Sequence, residues 1–255
     1  RSMSSKATPG EVSQLRSVVG SLSWIARQCR PDKSYMCSKL QSIATVAELK
    51  HLEVANRTLR EMIATSTTGL YFKAGVFDFN KAVMLTISDA SWANDVKITD
   101  AGEFPRRSQF GRMCLLADPS FWDGDCGYVH IIGWKSGLIK RMGRSTFRAE
   151  TMGMSYANEV GVHLRAALCE LRGTFAYKDW EETTAKQMRQ VLFTDCESLH
   201  SYLMNPIAQG CEDKRLEIDL EALREYLWEY PDGTPKDSIT EEQHDKPRWI
   251  DTSAM

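Results

Sequence analysis

The chain has 255 residues, of which 42% are hydrophobic and 26% are charged, and its formal net charge at neutral pH is −2. This composition is typical of one large or two ordinary globular domains, and no internal repeat or low-complexity segment is visible. No run of about 18 uncharged apolar residues is present, and the amino terminus lacks the apolar core of a signal peptide. These absences argue against membrane and secreted classes and predict an intracellular protein, in a cytoplasmic particle or the nucleus.

The first part of the chain reads as three helices. Residues 11–29 place Leu15, Leu22 and Ala26 on one apolar stripe, and Pro31 ends that helix. Two further helices are predicted over 33–46 and 48–64. The stretch STTGLYFKAG then leads from helices toward strands, so we predict a helical domain over residues 1–74.

The pattern changes after residue 80. Runs rich in β-branched and aromatic residues, bounded by Gly, Pro or Asp, predict strands. We predict strands over 83–88, 108–116, 127–134, 190–195 and 246–250, a long helix over 146–171, a short helix after 195, and a helix over 213–229. The order β-β-β-α-β-α-α-β predicts an α/β domain over residues 75–255.

Three carboxylates occupy informative places in this order. Asp89 follows the first strand, Glu150 lies in the first turns of the long helix, and Asp195 ends the fourth strand. Strand ends and the start of an adjacent helix can meet at one edge of an open α/β sheet. Three such charges repel one another unless a cation is present, which predicts a Mg²⁺ site, with Mn²⁺ as a substitute. The alternative for any single aspartate is a turn or a helix cap.

A cationic stretch directly precedes Glu150. With Trp134 and Phe147 interleaved, it is predicted to bind nucleic-acid phosphates, and an ordinary solvated loop is the alternative. Its basic residues are Lys135, Lys140, Arg141, Arg144 and Arg148.

Seven cysteines occur without a C-x-x-C pair. Their odd number and their positions in ordinary helical, strand and loop patterns favour buried or partly buried thiols over a metal or redox site. The chain begins at Arg1 and ends at Met255, so both ends are expected to be cut from a longer protein.

Six segments resemble, in the same order, a known family. They are VVGSLSWIARQCRPDKSYMCSKLQS, LTISDASWANDVK, GWKSG, RSTFRAETMGMS, VLFTDCESLHSYL and EDKRLEIDLEALRE. Together they resemble the thumb or connection region and the ribonuclease H domain of copia-type LTR-retrotransposon reverse transcriptases. The resemblance covers nearly the whole chain.

The resemblance implies a ribonuclease H-like, mixed five-stranded sheet with flanking helices, preceded by a small helical region. By position, Asp89, Glu150 and Asp195 match the metal-binding carboxylates of the family. The implied activity is metal-dependent hydrolysis of the RNA strand of an RNA–DNA hybrid. The implied partners are that hybrid and the rest of the Pol polyprotein, and the oligomeric state stays open.

Three departures from the family pattern bear on activity. The family's fourth carboxylate belongs to an L-A-D motif that this sequence stops short of, and Asp219 and Asp251 are weak replacements. Arg148 and Ser91 stand where the family often has acidic residues, neither of which is a metal ligand. The Tyr-x-Asp-Asp turn of a polymerase is missing. A non-catalytic nucleic-acid-binding or structural remnant is therefore the alternative, and a related metal nuclease acting on DNA is a third.

Overall fold

A computed structural model describes residues 1–99, 102–141, 145–205, 207, 210–228 and 245–251. Within the strands, the backbone alone is described for 94–99 and 102–106. Among the described residues, no helix combines the length and the hydropathy that a bilayer crossing requires. All seven cysteines are free thiols, and Cys126 is exposed, which corrects the expectation that every thiol would be at least partly buried.

Three helices form the amino-terminal region. The first starts where Thr8 and Glu11 form a reciprocal capping box ahead of Pro9, and it stops before Pro31. Its apolar stripe packs on the other two helices around a small core of Leu15, Val19, Leu40, Ile43, Ala44, Ala47 and Ala55. The helices are α1 (Pro9–Gln28), α2 (Ser34–Ile43) and α3 (Leu49–Ala64), close to the predicted ranges.

Five strands form one mixed sheet in the order β3-β2-β1-β4-β5. The first three strands are antiparallel neighbours, while β4 pairs parallel with both β1 and β5. The strands are β1 (Val83–Thr99), β2 (Gly102–Ala117), β3 (Val129–Leu138), β4 (Gln190–Thr194) and β5 (Asp245–Trp249). The mixed five-stranded sheet with flanking helices, expected from the resemblance to ribonuclease H domains, is confirmed.

Three strands, β1, β2 and β3, are longer than predicted, and β1 shows the largest difference. The sequence predicts that the first strand ends at 88, but β1 continues past Asp89 to Thr99 and pairs with β2 along most of that length. The continuation includes an irregularity in register between Ser91 and Asp95, and Ala93 has a positive φ of 56°. A bulge lets a polar segment stay in a ladder although its side-chain alternation is broken, which explains why a pattern of period two ends the strand too early.

Helices cover the sheet on the side of β1 that carries Met84, Thr86 and Ala90. The long helix α4 (Thr146–Arg172) crosses β1 and β2, and α6 (Glu197–Met204) and α7 (Lys214–Trp228) pack with it around a leucine-rich core. One helix, α5 (Trp180–Gln187), is missing from the sequence prediction. It buries only Thr184 and has no side-chain cap, so neither the apolar pattern nor a capping residue marks it.

A buried ion pair holds the edge strand β5 against α4. The side chains of Arg165 and Asp245 are 2% and 4% exposed, and their atoms Nη1 and Oδ1 are 2.6 Å apart. Arg165 also donates to the main-chain oxygen of Met188. Nearby, Gly161 lets α4 approach the sheet closely, because a β carbon there would lie 2.7 Å from Oε1 of Gln190 and 2.8 Å from Oγ1 of Thr86.

The helical region is joined to the sheet near β3. The indole of Trp134 donates to the main-chain oxygen of Ala26 in α1 at 2.8 Å. The buried amide of Gln109 donates to the hydroxyl groups of Ser38 in α2 (3.2 Å) and Ser136 in β3 (2.7 Å). The predicted boundary at residue 74 lies in the segment between α3 and β1, and the division into two domains stays a prediction.

Candidate active site

The parallel pairing of β1 and β4 brings two aspartates together. Ile87 of β1 is the partner of Phe193 in β4. Asp89 and Asp195 each lie two residues further along, and residues two apart in a strand point to the same side. The two carboxylates therefore emerge beside each other at one end of the sheet.

The third carboxylate comes from the start of α4. The hydroxyl of Ser145 accepts from the main-chain N–H of Arg148 and caps the helix, which places Glu150 in its second turn. Gly153 permits a close approach to the sheet, because a β carbon there would lie 3.4 Å from that of Ala90. The main-chain N–H of Ala90 donates to Oε1 of Glu150 at 3.2 Å, so the residue after Asp89 holds the glutamate in place.

Asp89, Glu150 and Asp195 form a compact cluster. Each offers an oxygen atom, and these oxygens all lie within 4.8 Å of one another. Asp89 is exposed, Asp195 is half-buried, and Glu150 is only 4% exposed. Among the described residues, the second oxygen of Glu150, Oε2, is buried without a hydrogen-bond partner. A buried carboxylate oxygen without a donor is costly, which makes a cation its natural partner.

The electrostatics of the cluster point the same way. Burial, followed by the charges of Asp89 and Asp195, raises the pKa of Glu150 from 4.5 to about 8. Partial shielding of its carboxyl group from water and the charge of Asp195 raise the pKa of Asp89 above its ordinary value, against the opposing effect of the Ala90 N–H. A divalent ion would relieve this repulsion, and an all-oxygen donor set suits hard cations such as Mg²⁺ or Ca²⁺.

The main chain around Asp195 is fixed by two hydrogen bonds. Its carbonyl oxygen accepts from the indole N–H of Trp249 at 3.0 Å. The next residue, Cys196, donates its main-chain N–H to Oγ1 of Thr194 at 3.1 Å. The sequence reasoning missed Trp249, because the only signal is a tryptophan in the last predicted strand and nothing in the chain order places it beside Asp195.

The five predicted phosphate-binding residues have different surroundings. Lys135 and Lys140 are exposed, and Arg141 is exposed but pairs with Asp219 at 3.4 Å. Arg144 lies outside the described residues. Arg148 is 5% exposed and forms an ion pair with Asp213, and its role as a phosphate contact stays a prediction.

The two interleaved aromatic residues also have structural partners. Trp134 binds Ala26, and Phe147 packs against the core between α4, α6 and α7. The two weak replacements for a fourth carboxylate, Asp219 and Asp251, belong to no metal-sized group of acidic residues in the described part of the chain. The described cluster therefore has three carboxylates.

No family model matches the chain. The retrovirus-related Pol polyprotein from transposon RE1 of Arabidopsis thaliana is 34% identical over 82 residues, which is 32% of this chain and 5% of the polyprotein. The secreted RxLR effector protein 161 of Plasmopara viticola is 28% identical over 158 residues, covering 62% of this chain and 95% of that protein. The chain thus matches a small fraction of the polyprotein and nearly all of the effector.

Solved structures that match part of this chain include two ribonucleases H. RNase H1 from Halobacterium salinarum NRC-1 is 13% identical, with a TM-score of 0.34, and the match covers 67% of this chain and 87% of that chain. The RNase H domain of Rv2228c from Mycobacterium tuberculosis is 10% identical, with a TM-score of 0.35, covering 68% and 84%.

Proposed function

We propose that this chain is a retroelement-derived, metal-dependent ribonuclease H that cleaves the RNA strand of RNA–DNA hybrids. The observation that carries the proposal is the meeting of Asp89, Glu150 and Asp195, whose oxygens lie within 4.8 Å of one another at one end of a mixed sheet. The similarity of 82 residues to a Pol polyprotein supports the retroelement origin. The sequence resemblance to copia-type elements supports the finer assignment.

In the proposed site, Asp89, Glu150 and Asp195 would hold Mg²⁺. When bound, such ions lower the pKa of a water nucleophile and stabilise the leaving oxygen of a phosphodiester. Glu150, buried and held by the Ala90 N–H, supplies a fixed ligand shielded from water. Asp89, exposed at the rim, is the member of the cluster that an incoming phosphate would meet first.

Two exposed cations, one on the edge strand β3 and one just after it, fit a polyanionic substrate. Lys135 lies on β3, and Lys140 follows it in the segment that leads to α4 and Glu150. We propose that both bind phosphates of the hybrid, which positions the duplex without reading its base sequence.

The helical region, residues 1–74, is proposed to be a thumb or connection piece. Residues 75–255 are then the ribonuclease H-like domain, and the rest of a Pol polyprotein is the proposed partner.

Cleavage of an end-labelled RNA–DNA hybrid with Mg²⁺ or Mn²⁺ tests the proposal. We expect the chain to cut the RNA strand and the Asp89→Asn variant to cut it more than about 100-fold more slowly. Loss of a metal ligand should reduce the rate more than loss of a residue that only hydrogen-bonds to a ligand. Asp123→Asn, an equally conservative change in the exposed loop before β3, is the matched control and should retain the rate.

A non-catalytic nucleic-acid-binding remnant is the second candidate, favoured by the presence of only three carboxylates in the described cluster. It predicts that the chain binds the hybrid without cutting it, with either metal. A chain extended at its carboxyl end separates the two candidates further. Cutting by the extended chain alone would show that this segment carries an incomplete site.

A further inference from the structure

Strand β4 ends one residue before the metal-binding candidate Asp195, and its last partner in the ladder is Trp249 of β5. The pairing of Thr194 with Trp249 closes the parallel ladder, and the main-chain N–H of Ile250 donates to the carbonyl of Thr194 at 3.0 Å. The carbonyl of Asp195 is the next main-chain acceptor after the end of β4, and no main-chain pairing with β5 reaches that far. A side chain of β5 reaches it instead.

The contact from Trp249 has the geometry of a full hydrogen bond. The distance between the indole Nε1 and the carbonyl oxygen is 3.0 Å, within the usual range for N–H···O bonds. An indole has one donor and no acceptor, so this bond uses its whole hydrogen-bonding capacity. Trp249 as a whole residue is 43% exposed, so packing alone does not explain its position at this strand end.

The peptide unit that follows the Asp195 side chain is therefore held at both of its polar groups by neighbouring residues. Trp249 holds its carbonyl group, and Oγ1 of Thr194 holds its N–H, which belongs to Cys196. Rotation of this peptide would move the Asp195 carboxylate relative to Asp89 and Glu150. Metal sites lose affinity when the groups that orient their ligands are removed.

We infer that Trp249 is a positioning residue of the carboxylate cluster, acting through the main-chain carbonyl of Asp195. The inference depends on the proposed function, because it presumes that the cluster binds a divalent cation. It assigns to the exposed indole on β5 a role in metal affinity, without direct contact with the ion or the substrate.

Mn²⁺ binding to the full chain, measured by electron paramagnetic resonance, tests the inference without an activity assay. Trp249→Phe keeps an aromatic ring suited to a strand and removes the N–H donor. We expect its Kd for Mn²⁺ to rise by about three- to tenfold, the effect of one lost hydrogen bond, while its thermal midpoint in EDTA falls by no more than about 4 °C, so that the variant stays folded in the assay. Trp24→Phe, the same change at an exposed position of α1, is the matched control and should leave Kd unchanged.

A measurement on the unsubstituted protein guards against a variant that fails to fold. In a spectrum of ¹⁵N-labelled indole groups, we expect Mg²⁺ to shift the resonance of Trp249 and to leave that of Trp24 in place. A Kd for Trp249→Phe within twofold of wild type, a Kd that rises only as folded protein is lost, or an unmoved Trp249 resonance would each overturn the inference. Failure of the wild-type chain to bind Mn²⁺ at all would instead overturn the proposed function, and the inference with it.

Discussion

Replacement of Glu150 by glutamine should stabilise the metal-free protein, and more strongly as the pH rises. The pKa of Glu150 is raised from 4.5 to about 8 in the folded chain, chiefly by burial and then by the charges of Asp89 and Asp195. A carboxyl group with a raised pKa binds its proton more tightly in the folded state than in the unfolded state. Folding stability is therefore unaffected by this group below pH 4.5 and falls as the pH rises from 4.5 toward 8.

The size of the effect follows from the two pKa values. At pH 8 the free energy of unfolding is lower by roughly 4 kcal/mol than that of a chain with a neutral residue at position 150. At pH 5 the difference is less than about 1 kcal/mol. Glu150→Gln removes this loss while keeping a side-chain oxygen that can accept from the Ala90 N–H. A loss of roughly 4 kcal/mol is a large part of the stability of an ordinary domain.

Urea unfolding in EDTA at several pH values between 5 and 8 measures the prediction. The difference in unfolding free energy between Glu150→Gln and wild type should grow through this window. Glu159→Gln, at an exposed position of the same helix, is the control and should give a small, constant difference. A Glu150→Gln difference that is independent of pH, or that destabilises the protein at pH 8, would refute the reasoning. Millimolar Mg²⁺ should raise the free energy of unfolding of the wild type and not that of Glu150→Gln, because the variant lacks the third carboxylate of the cluster.

Three further predictions concern the fold and the substrate surface. Asp245→Ala should destabilise the chain by about 3–5 kcal/mol in chemical unfolding because it leaves Arg165 buried without its partner, whereas replacing both residues by apolar ones should cost much less. Gly161→Ala should lower the unfolding free energy by about 1–3 kcal/mol, since its β carbon would lie 2.7 Å from a side-chain oxygen of the sheet. Gly20→Ala, at an exposed position of α1 where a β carbon meets nothing within 4 Å, should instead raise it by up to about 1 kcal/mol, and equal effects at the two glycines would contradict the packing described. Lys140→Ala should weaken hybrid binding and reduce the salt slope by about one, and an unchanged slope in a binding titration would exclude it as a phosphate contact.

The sequence predicts the elements that carry strong patterns and the order in which they occur. The run before Asp89 and the short apolar strand before Asp195 are visible because buried strands need β-branched residues. The two strands lie side by side because β1 pairs in parallel with β4. The order of elements in the sequence is consistent with this pairing but does not determine it. The compact cluster is therefore anticipated, while the catalytic role of its members stays a prediction.

Long-range contacts account for what the sequence does not show. Arg148 reads as a surface cation because it follows other basic residues, yet its partner Asp213 lies 65 residues further along the chain. Trp249 and Asp195 are 54 residues apart, and their hydrogen bond depends on where β5 ends. Helix α5 has too few buried positions to leave a periodic signal. For Arg148 and Trp249, the tertiary partner, and not the local pattern, determines the contacts of the side chain.

The bonds from Trp134 to Ala26 and from Gln109 to Ser38 determine where the polypeptide can be shortened. A version beginning near Val83 would leave the indole of Trp134 without its acceptor and would remove α2 from β3, an edge strand of the sheet that it contacts. Uncovered edge strands recruit other chains and promote aggregation. Expression of the sheet alone is therefore a poor route to a well-behaved sample, and the helices should be retained in any minimal version.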